Sequence, residues 1–133
     1  VGMGPYVPHE TAPVGDTEFS EEDRLDLSLN MIALLRLMLP EINIAATTAL
    51  QALDPRGRER ALKVGANVMM PVVTPQKYRS SYQLYANKPC VHESPGDCQN
   101  CITRRVKSAG FVPALGQRGD SLHYVHRTDH VDS

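Results

Sequence analysis

Ile42-Asn43-Ile44-Ala45-Ala46-Thr47 and Asn67-Val68-Met69-Met70 are two short apolar runs whose reading decides the fold. Between them, Asp54-Pro55 is a helix start and Gly65 a stop, which predicts a helix to about Val64. A strand, a helix and a second strand joined by short links argue for a parallel pair with a right-handed crossover. Working upstream, Ser20 is a suitable N-cap, with Asp23 an acidic near-match to a capping box and Glu21-Glu22 complementing the helix dipole. Leu25, Leu29, Ile32, Leu35 and Leu39 recur at helical spacing, Met31, Leu34 and Met38 widen that stripe, and Pro40 stops it. Residues 1–7 suit a further buried strand, ended by Pro8-His9 and followed by a Pro/Gly loop through Gly15. Working downstream, Pro71 closes the last strand, and Thr74-Pro75 caps a short helix through Gln76-Lys77-Tyr78-Arg79. The whole is an α/β pattern of three parallel strands, each followed by a helix. In such folds ligands gather at the C-terminal strand ends, here Pro8-His9, Thr47-Thr48-Ala49 and Met70-Pro71.

The chain has 133 residues, within the size range of one domain, and its 14 basic and 15 acidic residues nearly balance. That balance gives no electrostatic reason to expect nucleic acid or an acidic membrane surface as partner. No apolar run approaches the roughly 20 residues that span a bilayer. Val1-Gly2-Met3-Gly4-Pro5-Tyr6-Val7 lacks the basic stretch and long apolar centre of a secretory leader, and with reduced thiols the expected location is cytoplasmic. The opening Val1-Gly2-Met3-Gly4-Pro5-Tyr6-Val7 starts inside an apolar, strand-like run, which predicts a fragment of a longer chain.

All three cysteines, Cys90, Cys98 and Cys101, fall in one C-x7-C-x2-C segment. Three thiols cannot all pair within one molecule, so shared ligation of a metal or cluster is the simplest common purpose. Pro95-Gly96 lets the longer arm turn, and a fourth ligand must come from water, an exogenous thiol or His92. Iron held as a cluster and zinc held by the three cysteines with His92 both fit these donors, and three unrelated free thiols are the plain alternative. Asp97 is expected to cap a helix from about Cys98 to Ser108, ended by Gly110. From Phe111 on, periodicity fades and an irregular tail is expected, with His123, His126 and His130 solvated. This divides the chain into barrel-like residues 1–85, a cysteine segment at 86–110 and the tail at 111–133.

Gly2-Met3-Gly4-Pro5-Tyr6-Val7-Pro8-His9, Ala46-Thr47-Thr48-Ala49-Leu50 and Gly65-Ala66-Asn67-Val68-Met69-Met70-Pro71 form an ordered series at the strand ends. Thr74-Pro75, Tyr78-Arg79 and Tyr82-Gln83-Leu84-Tyr85 continue it, and the cysteine triplet closes it. The series resembles the C-terminal half of the HydE family, radical S-adenosylmethionine maturases of FeFe-hydrogenase within the biotin synthase-like superfamily, over residues 1 to about 108. The resemblance implies the last three parallel strands of a (β/α)8 TIM barrel, with a cysteine-containing extension. It implies that Met3, Thr47, Thr48, Ala49, Met70, Tyr82 and Tyr85 line a cavity for a small cysteine-derived iron carbonyl cyanide precursor. It matches Cys90, Cys98 and Cys101 to an accessory iron–sulfur site, for which a 2Fe-2S cluster is one form and the nuclearity is left open. In the complete enzyme, a 4Fe-4S cluster and S-adenosylmethionine are bound mainly by the N-terminal half of the barrel, and other hydrogenase maturation proteins are the implied partners.

The chain departs from the family pattern in ways that bear on activity. The C-x3-C-x2-C motif of the radical-generating cluster is absent, so residues 1–133 alone are expected to be inert. Ala45 stands where a proline is common, and Val72 replaces a common asparagine. Plainer roles stand beside each functional one. Met3 and Met70 suit core packing; Thr47 and Thr48 suit loop capping; Tyr82 and Tyr85, three apart, suit aromatic packing over a barrel mouth. His9 sits at a strand end, and Arg79 is a cation that could pair with an anion. The alternative to a radical-enzyme part is a non-enzymatic metal-binding or scaffold module derived from the barrel.

Overall fold

Three segments run parallel where strands are predicted, but their ladders are short. A computed structural model describes residues 1–9, 18–79, 81, 85, 87–89 and 95–129, the side chains of residues 95, 97, 98, 128 and 129 excepted. Strand β1 (Gly2–Met3) pairs in parallel with β2 (Ala45–Ala46), Gly2 beside Ala45 and Met3 beside Ala46. Val68 forms a single parallel bridge to Ala45 on the other side of β2. The runs predicted as strands at 1–7, 42–47 and 67–70 therefore contribute two residues, two residues and one bridge. Pro5 and Pro8 have no N–H to lend a ladder, which limits β1. At the other edge, side chains take over backbone bonds: Asn67 Oδ1 accepts from Ile44 N at 2.9 Å.

Helix α1 (Glu21–Met38) begins at a reciprocal capping box, with Ser20 Oγ accepting from Asp23 N at 3.1 Å and Ser20 N donating to the Asp23 carboxylate at 3.2 Å. Its Leu25, Leu29 and Ile32 enter the core. Met31, Leu34 and Met38, read from sequence as widening that stripe, instead lie exposed with Leu27 on a second apolar face. After β2 comes a helix that sequence reading missed, α2 (Thr48–Leu53), then α3 (Gly57–Lys63) and the single turn α4 (Gln76–Arg79). Helix α5 (Pro95–Ser108) starts three residues before the predicted Cys98, and proline suits a first helical position. The tail is not wholly irregular, because α6 occupies Leu122–Asp129.

The core joins Leu25, Leu29 and Ile32 of α1 with Ile44 and Ala46 of the β2 segment, Leu50 of α2 and Ala61 and Leu62 of α3. Ala109 closes it from the end of α5. Helices α1, α2 and α3 thus share one core with the small parallel sheet, a mixed arrangement of helices and a two-stranded sheet. At the N-terminal strand ends, Arg36 ties the turns together by donating to the carbonyls of Pro40 (2.6 Å), Ile42 (2.9 Å) and Gly65 (2.9 Å). Among the described residues, no helix is long and apolar enough to cross a membrane.

Candidate functional site at the strand ends

At the opposite, C-terminal ends of β1 and β2 lies an open groove of about 330 Å³. It is lined by Met3, Gly4 and Pro5 after β1, by Thr47, Thr48 and Ala49 at the start of α2, and by Tyr85. Local sequence explains its shape. A Cβ at Gly4 would collide with Thr47 Oγ1, so only glycine lets the chain after β1 pass so close to the end of β2. Thr47 Oγ1 in turn donates to Met3 O at 3.3 Å, pinning the two strand ends together. Thr48 Oγ1 and the Tyr85 hydroxyl are 2.5 Å apart in a hydrogen bond between groove walls. Two hydroxyls joined in one bond keep one O–H donor and spare lone pairs between them, so the pair can both donate to and accept from a polar group in the groove.

Five of the seven expected cavity residues, Met3, Thr47, Thr48, Ala49 and Tyr85, are therefore brought together here. Met3 has a double role, because it also packs against the core. Met70 is not among the groove's lining residues and is 60 % exposed. Tyr82 lies outside the described residues. Arg79 is buried and donates Nε to Thr74 O at 2.7 Å and Nη2 to Val72 O at 3.0 Å, so it holds its own loop.

Of the cysteine triplet, Cys90 lies outside the described residues, as does His92. Cys98 and Cys101 fall three residues apart on α5, and the side chain of Cys98 lies outside the described structure. Cys101 is a half-buried free thiol, and no cluster of three metal-binding side chains is assembled among the described residues. One turn on, Arg105 Nη1 donates to Pro55 O at 2.9 Å and to Glu59 Oε1 at 2.7 Å, docking α5 on α3. Burial works against the charged guanidinium, but its hydrogen bond to Cys101 and the nearby Glu59 carboxylate outweigh this and raise its pKa. A second cavity of about 350 Å³ lies between α3 and α5, lined by Leu62, Met69, Ile102, Val106, Phe111 and Leu115 among others. It is largely apolar and lies away from the strand-end groove.

Sequence reading passed over Arg58, the largest fully buried side chain in the described structure. It sits between two other arginines in Arg56-Gly57-Arg58-Glu59-Arg60, which reads as a solvated helix start. The available signal was Gly57, since a glycine opening a helix marks a close approach.

A small parallel sheet packed with helices, with a hydroxyl-lined groove at its C-terminal strand ends, defines an α/β protein with its candidate site on the loop rim. No protein-family model matches the chain. Among curated proteins, the chain is 42% identical over 113 residues to the [FeFe] hydrogenase maturase subunit HydE of Thermotoga maritima. The match takes in 85% of this chain and 32% of that relative, so the chain spans about a third of the relative's length. The chain is a homologue of HydE, in keeping with a correspondence to the C-terminal part of that protein.

Proposed function

We propose that this chain supplies the C-terminal strands of a HydE-type radical S-adenosylmethionine maturase, and that its groove holds a small cysteine-derived iron carbonyl cyanide precursor during hydrogenase cofactor assembly. The observation that carries this reading is the convergence of Met3, Gly4, Thr47, Thr48, Ala49 and Tyr85 in one groove at parallel strand ends. Homology to a hydrogenase maturase over 113 residues supports it. Radical chemistry belongs to the N-terminal part of a complete enzyme, where a 4Fe-4S cluster and S-adenosylmethionine bind. The exposed α1 face of Leu27, Met31, Leu34 and Met38 fits burial against a neighbouring barrel helix. Met70 and Tyr82 remain part of the proposal as cavity residues of the closed barrel, and Cys90, Cys98 and Cys101 as an accessory iron–sulfur site in a cytoplasmic enzyme.

The test is anaerobic turnover by the complete natural protein, reconstituted with iron and sulfide. A cysteine-bound iron carbonyl cyanide complex is expected to be consumed as S-adenosylmethionine is reductively cleaved. Thr48→Ala is expected to weaken use of the complex about tenfold, the size of one lost ligand hydrogen bond. A complete protein that cleaves S-adenosylmethionine but binds no such complex would contradict the groove's assignment.

A further inference from the structure

Where β2 ends, the ladder to the next strand is replaced by a side chain. Ala46 N donates to Val68 O at 2.8 Å, and the bond that would follow in a regular parallel ladder runs from Met70 N to Ala46 O. Ala46 O instead accepts from Arg58 Nε at 3.1 Å, and Arg58 Nη2 reaches Met70 O at 3.4 Å. Arg58 is only 2 % exposed, and its guanidinium stands between the carbonyls of Ala46 and Met70 on two neighbouring strand segments. Beyond it the segments part: Thr47 and Thr48 line the groove, while Met70 turns outward.

Gly57 makes this placement possible. A Cβ there would collide with the Leu50 carbonyl, so glycine alone lets α3 start tight against α2 and aim the next side chain under the strand ends. Ala46 directly precedes Thr47, so a group that fixes its carbonyl also fixes the residue that pins Met3.

We propose that Arg58 is a positioning residue, a buried wedge that ends the β2 ladder and sets the width of the strand-end rim. The structural half of this inference stands on the hydrogen bonds alone, and its functional half rests on the proposed precursor site. Arginine suits the task because its planar fork serves two carbonyls at once, whereas lysine offers one compact ammonium.

The experiment compares Arg58→Met, Arg58→Lys and Arg36→Met in the complete natural protein. Arg36 ties the opposite strand ends and serves as a control for lost stability. Hydrogen exchange at the Met70 amide reads the wedge directly. In Arg58→Met the freed Ala46 carbonyl is expected to recruit that amide and slow its exchange about tenfold or more. Arg58→Lys, which keeps a buried donor, is expected to fall between wild type and Arg58→Met and serves if Arg58→Met does not fold. Unchanged Met70 exchange in the folded variants would overturn the wedge. With the cysteine-bound iron complex as probe, Arg58→Met is expected to raise KM about 10- to 100-fold with kcat little changed, the effect of a misplaced binding edge. An equal rise in Arg36→Met at matched loss of Tm would reduce Arg58 to general stability. Absence of probe turnover in wild type would remove the proposed precursor site, while Met70 exchange would still decide the wedge.

Discussion

Thr48 and Tyr85 meet at 2.5 Å in a partly buried contact on the groove wall, so each hydroxyl satisfies part of the other's hydrogen-bonding capacity. Removing one partner takes that bond from the other in a partly desolvated place. Thr48→Ala or Tyr85→Phe is therefore expected to cost about 1–2 kcal/mol each, and the double variant little more. Urea unfolding of all three checks this, and fully additive losses would show that the two groups do not interact. Arg36 tests the other end of the sheet. Its three carbonyl partners and Asn67 lose their donor in Arg36→Met, with an expected loss of about 2–4 kcal/mol by the same measurement. Two carboxyls are expected to contribute to the acid limb of stability. The Ser20 hydroxyl and N–H hold Asp23 below its ordinary 3.8, and the Arg56 N–H does the same for Asp54. A lowered folded-state pKa means the unfolded chain takes up protons first as pH falls. Stability from these groups is then full above about pH 4 and is lost below it. Asp54→Asn should flatten that acid limb in thermal melts at stepped pH, and an unchanged limb would contradict the assignment.

At the scale of elements, α1 was legible because its cap, stripe and stop signal agree: Ser20 with Asp23, Leu25-Leu29-Ile32, and Pro40. Helix α2 was not, because six residues leave room for little periodicity and Thr47 makes no side-chain cap. Helix α6 did carry a signal, since Ser121 Oγ accepts from Tyr124 N at 3.2 Å, but the polar run before it looked like plain tail. Tertiary bonds reinforce that helix: His123 N donates to Glu41 O at 3.2 Å, and His126 Nδ1 lies 3.0 Å from the Glu41 carboxylate. The strand-end residues of the groove were readable as a set, through their order along the chain and the resemblance it carries. Met70 parts from them because a buried guanidinium interrupts the ladder, and no pattern in one sequence separates a buried arginine from a solvated one. The start of α3 also yields a direct test. Gly57→Ala is expected to push α3 off Leu50 and cost about 1–3 kcal/mol, as overpacking does. A variant as stable as wild type in urea would show that the contact yields without cost.

At the scale of the whole molecule, the two ends of the sheet are built for different purposes. The N-terminal ends are locked by Arg36, Asn67 and Asn43, with Asn67 Nδ2 donating to Asn43 Oδ1 at 2.9 Å and Asn43 Nδ2 to Gly119 O at 2.8 Å. The C-terminal ends of β1 and β2, joined by the Thr47–Met3 bond, are edged with hydroxyls along an open groove of about 330 Å³. Stability at one end and an open rim at the other is the division of labour seen in parallel α/β barrels. The most direct measurement of this account is a structure of the complete natural protein with S-adenosylmethionine and a cysteine-bound iron carbonyl cyanide complex. It is predicted to place the complex against Thr47, Thr48, Ala49 and Tyr85, inside a barrel that the three parallel segments help to close. A complex bound elsewhere, with this groove facing bulk solvent, would contradict it.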